Sequence, residues 1–310
     1  LIGWELYKIL KRRITKVVLA IALLWILANM IPMGFANYGF GTDVTAPSWQ
    51  ANRLIASSYE WAKPWQGPLT TEKLLQARQQ ALETQQAYLS EKTVYEENGA
   101  GAWSVVESLA YIWINAGYID GGNFCSAFET IPEEAFYQVE SIRKSLVQEQ
   151  IAHYAAPERE YLQKLEAQVK MPFQYDWYQG QWRVLDYMDD TMFLVGVLIC
   201  IALVPVFNEE IRTGSCRVTH CTKYGRFPMG SAKGIAAFLF SAITFLVAMG
   251  IIVTIQLFYF GTRGLQCSLQ LVMYQSVLPI TLGQMELALV LFGLFSCMAA
   301  AADCSDAVGR

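Results

Sequence analysis

Four apolar runs, almost free of charge, divide a chain that is otherwise polar. They are Val17–Phe35, Thr191–Phe207, Ile235–Phe260 and Leu287–Ala302. A helix needs about 20 apolar residues to cross a hydrocarbon core about 30 Å thick. The first run is broken only by Asn29 and Pro32, the second is short with Pro205 near one end, and the third closes on Phe258, Tyr259 and Phe260. The fourth is the weakest signal of the set. The pattern predicts an all-α membrane protein with about four transmembrane helices.

The long interval between the first two runs has a different periodicity. Residues 36–68 are rich in Trp, Pro, Gly and Asn and read as irregular structure. Residues 70–97 read as a helix, with Leu75, Leu82 and Leu89 recurring every seven positions, Thr70 or Thr71 as its cap and Asn98-Gly99 as its stop. Trp103–Ala116 is apolar but too short to span, and it holds Glu107 and Asn115, so a buried helix is expected. Gly117–Asn123 is turn-like. Pro132–Tyr154 predicts a second long helix with Phe136, Val139, Ile142 and Leu146 on one face. Pro157 opens a third helix carrying Leu162, Leu165 and Val169, and Pro172 closes it. Such amphipathic helices must bury their stripes against one another. The resulting domain reads equally as a structural spacer and as a substrate or partner surface.

Charge orients the chain. Only 16% of the 310 residues are charged, against about 25% in a soluble protein. Residues 36–190 hold 11 basic and 21 acidic residues, residues 1–16 five basic and one acidic, and residues 208–233 five basic and two acidic. Short basic segments stay on the cytoplasmic side. The expected layout is therefore a cytoplasmic interfacial helix at 1–16, a first span at 17–35, an extracytoplasmic helical domain at 36–190 and a second span at 191–207. A cytoplasmic loop at 208–234, a third span at 235–260, an outer linker at 261–286 that dips toward the leaflet, a fourth span at 287–302 and a cytoplasmic end at 303–310 complete it. The amphipathic lead, with Trp4, Leu6, Ile9 and Leu10 among basic residues, suits the inner leaflet surface. A cleaved signal peptide is the alternative for the first run. The aromatic run Phe173, Tyr175, Trp177, Tyr178, Trp182 and Tyr187 before the second span reads as an interfacial belt.

The segment from Phe207 to Lys233 carries the most specific pattern. Phe207, Glu210 and Gly214 are followed by Thr222, Lys223, Tyr224, Gly225 and Arg226, and Lys233 opens the next apolar run. This order resembles the cytoplasmic loop of permease subunits of exporter-type ABC transporters. Ser215 stands where that family often has Thr, and the element Pro172, Phe173, Tyr175 is also similar to one in the family. The resemblance implies a bacterial cytoplasmic-membrane permease that receives mechanical work from a separate ABC ATPase through a short coupling helix around Glu209–Thr219. Glu209, Glu210, Arg212 and Arg217 would supply steering charge, Gly214 a bend, and Thr222–Arg226 a turn toward the third span, with Lys233 snorkelling at the interface. It further implies ATP and Mg on the partner chain, a second permease copy or paralogue, and six spans where this chain has four. On that footing the chain reads as a fragment lacking the last two. The bland reading of the same loop is a solvated basic connector.

Other chemistry finds little support. Gly225 and Gly230 begin like a phosphate loop, but Ser231-Ala232 replaces the Lys-Ser/Thr that such a loop needs. Cys216, His220 and Cys221 lack the second ligand pair of a structural zinc site. No His-Glu-x-x-His or Gly-x-Ser-x-Gly occurs, so the expectation is a non-enzymatic transport subunit that binds no cofactor, metal or nucleic acid itself. Cys125 and Cys267 are the pair that could meet outside, where disulfides persist. Glu286, at the outer start of the fourth span, and Asn29 and Gln256, inside spans, are the intramembrane polar candidates. From a different class, a membrane sensor or adaptor would use the helical domain to bind a ligand or partner.

Overall fold

The computed structural model describes residues 1–33, 51–91, 97–119, 128–213 and 227–309. Thirteen α-helices are described there: α1 (Ile2–Lys11), α2 (Arg13–Met33), α3 (Ala51–Ala62), α4 (Thr71–Glu91), α5 (Glu97–Ser108), α6 (Ala110–Asn115), α7 (Glu133–Tyr137), α8 (Val139–Ala152), α9 (Ala156–Glu166), α10 (Gln179–Thr213), α11 (Phe227–Phe260), α12 (Leu269–Val272) and α13 (Leu282–Gly309). Strands β1 (Gly67–Pro68) and β2 (Gln174–Tyr175) form a two-residue antiparallel clip, Gly67 opposite Tyr175. The chain divides into two compact units, one of residues 1–33, 184–258 and 287–310 and the other of residues 34–183 and 259–286.

The first unit holds the apolar helices. Four helices are long and apolar enough to cross a membrane, over Arg13–Pro32, Gln179–Val206, Met229–Phe260 and Leu282–Ala302. On α2, Val18, Ala22, Ile26 and Met30 form a buried stripe one turn apart, while Ile21, Leu24 and Trp25 are exposed. Apolar side chains all round a helix, half of them facing outward, are what lipid-facing spans present. Gly293 of α13 lies against the Phe245 ring of α11 and the Met192 sulfur of α10, where a Cβ would come within 2.5 Å of the ring and 2.8 Å of the sulfur. Small residues permit this kind of close approach between apolar helices. In α1, Glu5 and Ile9 are buried and Glu5 accepts from Lys8 Nζ at 2.7 Å, while Trp4, Tyr7 and Leu10 are exposed.

The second unit is built on α5 and α6. Trp103, Val105, Leu109, Ile112 and Trp113 are all fully buried. Phe128 meets Trp103 edge-on at 5.3 Å, and Phe136 lies 4.5 Å from Trp113, centroid to centroid. Gly101 brings α5 so close to α3 that a Cβ there would collide with the Trp61 carbonyl.

Several boundaries differ from the sequence reading. The second apolar helix begins at Gln179, not Thr191, because exposed Asp186, Asp189 and Asp190 continue the backbone ladder that the apolar run starts. The third and fourth begin eight and five residues before the apolar runs do, at Phe227 and Leu282. Asn98-Gly99 does not stop a helix; it lies in the first turn of α5, and α4 ends at Glu91. Trp103–Ala116 is interrupted at Leu109. The helix expected over Pro132–Tyr154 is two, broken at Gln138. That break turns the buried face to Val139, Arg143, Val147 and Ile151, leaving Ile142 and Leu146 half-buried. The third helix ends at Glu166, ahead of Pro172. Finally, Phe173, Tyr175, Trp177 and Tyr178 are buried within the second unit, so these four do not form a surface belt. Most of residues 36–68 expected to be irregular from 51 onward is α3 and a 3-10 turn; residues 36–50 lie outside the described residues.

Candidate functional site

The second unit holds an open cavity of about 880 Å³. Helix α3 contributes Ser58 and Trp61, and α5 contributes Ser104 and Glu107, one turn apart on one face. Tyr111 of α6 stands exposed at the mouth. Trp177 and Tyr178, just before α10, and Gln179, Trp182 and Arg183 in its first turns form another wall. The segment 269–278 and Met285 close the opposite side with Leu271, Tyr274 and Leu278 among others.

The walls are fixed by long-range hydrogen bonds. Tyr175 Oη donates to Ser104 Oγ at 2.8 Å, and Gln179 Nε2 also donates to Ser104 Oγ. Asp176 is a three-way clip: its Oδ1 accepts from Gln66 Nε2 and from its neighbour Trp177 N, each at 2.8 Å, and its Oδ2 accepts from Gly264 N at 2.8 Å. The 269–278 wall is held by Arg143. Its guanidinium makes a two-point pair with Glu166, at 2.6 and 3.1 Å, and donates to the carbonyls of Tyr274 at 2.8 Å and Ser276 at 2.7 Å. Gln270 Nε2 adds a bond to Leu278 O at 2.7 Å. The linker expected to dip toward the leaflet is thus packed into the second unit.

Two acceptor groups in the lining have no donor among the described residues. Gln179 Oε1 is buried without a hydrogen-bond partner. Glu107 has no hydrogen bond or ion pair among the described residues, and burial pushes its carboxyl up to about 7. A carboxylate moved out of water without a partner is costly. Burial, and then the neighbouring Glu107, hold the Tyr178 hydroxyl well above the usual phenol range, so it stays a neutral donor. Arg183, another polar group of the lining, is exposed. Among the described residues of the lining there is no nucleophile–base pair.

None of the coupling or intramembrane polar residues expected from the sequence lines this cavity. Phe207, Glu209, Glu210 and Arg212 fall in the last turns of α10. Gly214, Arg217, Tyr224, Gly225 and Arg226 lie outside the described residues, as do Thr222, Lys223 and the Cys216, His220, Cys221 cluster. Lys233 is buried near the start of α11, where snorkelling was expected. Asn29 Nδ2 donates to Trp25 O of its own helix at 2.8 Å, not to a neighbouring helix. Gln256 is buried on α11 and Glu286 half-buried in the first turn or so of α13. Cys267 is a free thiol, fully buried, which pushes it up to about 12; Cys125 lies outside the described residues. The sequence signal for the cavity was Glu107 in an apolar helix together with the aromatic run at 173–187. Comparison with protein-family models, with curated proteins and with solved structures finds no match to this chain.

Proposed function

We propose that the chain is the membrane-spanning permease subunit of an ATP-driven ABC transporter of exporter type, working with a separate ATPase chain. The observation that carries the reading is the ordered pattern Phe207, Glu210, Gly214, Thr222–Arg226 and Lys233, set between two long helices. Helix α10 runs 35 residues without interruption to Thr213, and α11 runs 34 residues from Phe227. At 1.5 Å per residue each is about 50 Å long, more than the core of a bilayer. A force applied to the polar segment is therefore delivered to two continuous helices. In this reading the N-terminus and the 208–234 loop face the cytoplasm, residues 36–190 lie outside, and two permease chains shift together when their ATPases close.

A membrane sensor or adaptor is the second reading, and the cavity of the second unit favours it, because a spacer needs no such pocket. Co-purification separates the two. The chain is expressed with candidate ATPases, unaltered and as Glu210→Lys and Gly214→Trp. Stoichiometric capture of an ATPase, lost in both variants, supports the permease. A chain that enters the membrane and captures no ATPase supports the sensor or adaptor.

A further inference from the structure

We propose that the cavity of the second unit binds an organic cation, with a positively charged amine or ammonium centre beside Glu107 and an apolar body between the aromatic rings. The proposal goes beyond the permease reading and does not depend on it.

The argument begins with the unbalanced charge. Glu107 is half-buried in the wall of the cavity, and it has no hydrogen bond or ion pair among the described residues. Gln179 Oε1 is a second buried acceptor with no donor. Buried polar groups in folded proteins are nearly always paired, so a buried unpaired acceptor and a half-buried carboxyl in one lining fit a ligand that brings donors or positive charge. The rings around them point to the same class. Trp61, Trp177, Tyr178 and Trp182 line the cavity, and the faces of such rings attract cations, most strongly where water is excluded. An anionic ligand would meet the Glu107 carboxylate and the negative ring faces. A neutral apolar ligand would leave both acceptors unsatisfied.

Size and remaining surface set the rest of the ligand. A volume of about 880 Å³ holds a drug-sized molecule, not a metal ion or a simple ammonium ion. Leu271, Leu278 and Met285 supply apolar contact for its body.

Tetraphenylphosphonium and tetraphenylborate test the charge directly, because they share a shape and differ in sign. Binding of each is measured on the full chain in a neutral detergent at pH 8, with empty micelles subtracted. The proposal expects saturable tetraphenylphosphonium binding and no saturable tetraphenylborate binding. Glu107→Gln keeps the shape of the side chain and should weaken the cation about tenfold or more, the loss expected for one desolvated charge contact. Arg183→Gln, at the exposed rim, should leave cation affinity unchanged or raise it. A pH series on the unaltered chain needs no variant to fold. Among the described residues the titratable groups lining the space are Glu107, Tyr111, Tyr178, Tyr274 and Arg183; burial pushes the Glu107 carboxyl up to about 7, so cation affinity should fall as pH drops through about 7. Equal binding of the two ions, no saturable cation binding, or a flat pH profile would overturn the proposal. ATPase capture is not involved in any of these outcomes, so failure of the permease reading would leave them unchanged.

Discussion

Arg143 and Glu166 are both buried and meet through two hydrogen bonds, at 2.6 and 3.1 Å, across 23 residues of sequence. The same guanidinium donates to the carbonyls of Tyr274 and Ser276 more than 130 positions away. One side chain thereby joins α8, α9 and the wall of the cavity. A planar fork is required for this, which the point charge of Lys does not supply.

Removing one partner strands a buried charge. Glu166→Leu and Arg143→Met should each destabilise the fold by about 3 kcal/mol, within the range for breaking a buried pair. Arg143→Met together with Glu166→Leu should cost less than the two single changes added, because no charge is left unpaired. Thermal unfolding in detergent reads all of these. A double variant as damaged as the sum would show that the pair is not an energetic unit.

Glu107 makes stability depend on pH with a defined sign. Its carboxyl sits at about 7 in the fold against 4.5 ordinarily, so the folded chain binds this proton more tightly than the unfolded chain does. The contribution is present below about pH 4.5 and is lost as pH rises to about 7. It amounts to at most about 3 kcal/mol, and less because Glu107 retains some solvent contact. Glu107→Gln should therefore flatten the fall in thermal midpoint between pH 5 and 7.5. A variant with the same slope as the unaltered chain would place the titrating group elsewhere.

Gly264 has a φ of +82°, and a Cβ there would collide with the Trp177 carbonyl. Its N–H is also the group that Asp176 holds. Gly264→Ala should cost about 1–3 kcal/mol from backbone strain alone, with more from the collision. Because Trp177 lines the cavity, the same change should also weaken tetraphenylphosphonium binding. Full retention of both stability and binding would mean that this close approach is not needed.

The helical character of the chain and the four apolar helices were legible in the sequence because each run's own residues carry the signal. Their ends were not. Asp186, Asp189 and Asp190 look like a stop, yet a helix needs only its backbone bonds to continue past exposed acids. The phase of α8 was lost because the break at Gln138 has no Gly or Pro to mark it. Arg143 was invisible as a core residue, since a charged side chain is read as solvated unless its partners are known, and these partners lie on distant segments. The cavity was hidden for the same reason: Ser58, Glu107, Gln179 and Met285 come from four separated stretches. The aromatic run at 173–187 is plain in the sequence, but buried and interfacial aromatics have the same composition.

Photocrosslinking from the 208–234 segment addresses the central claim most directly. A benzophenone amino acid is placed at Arg217 in the chain expressed in its native membrane, and the crosslinked product is identified by mass spectrometry. The account predicts one dominant product, an ATPase that carries a phosphate loop, and its loss when Glu210→Lys is added. Crosslinks to lipid or to scattered proteins, with no ATPase among them, would contradict it.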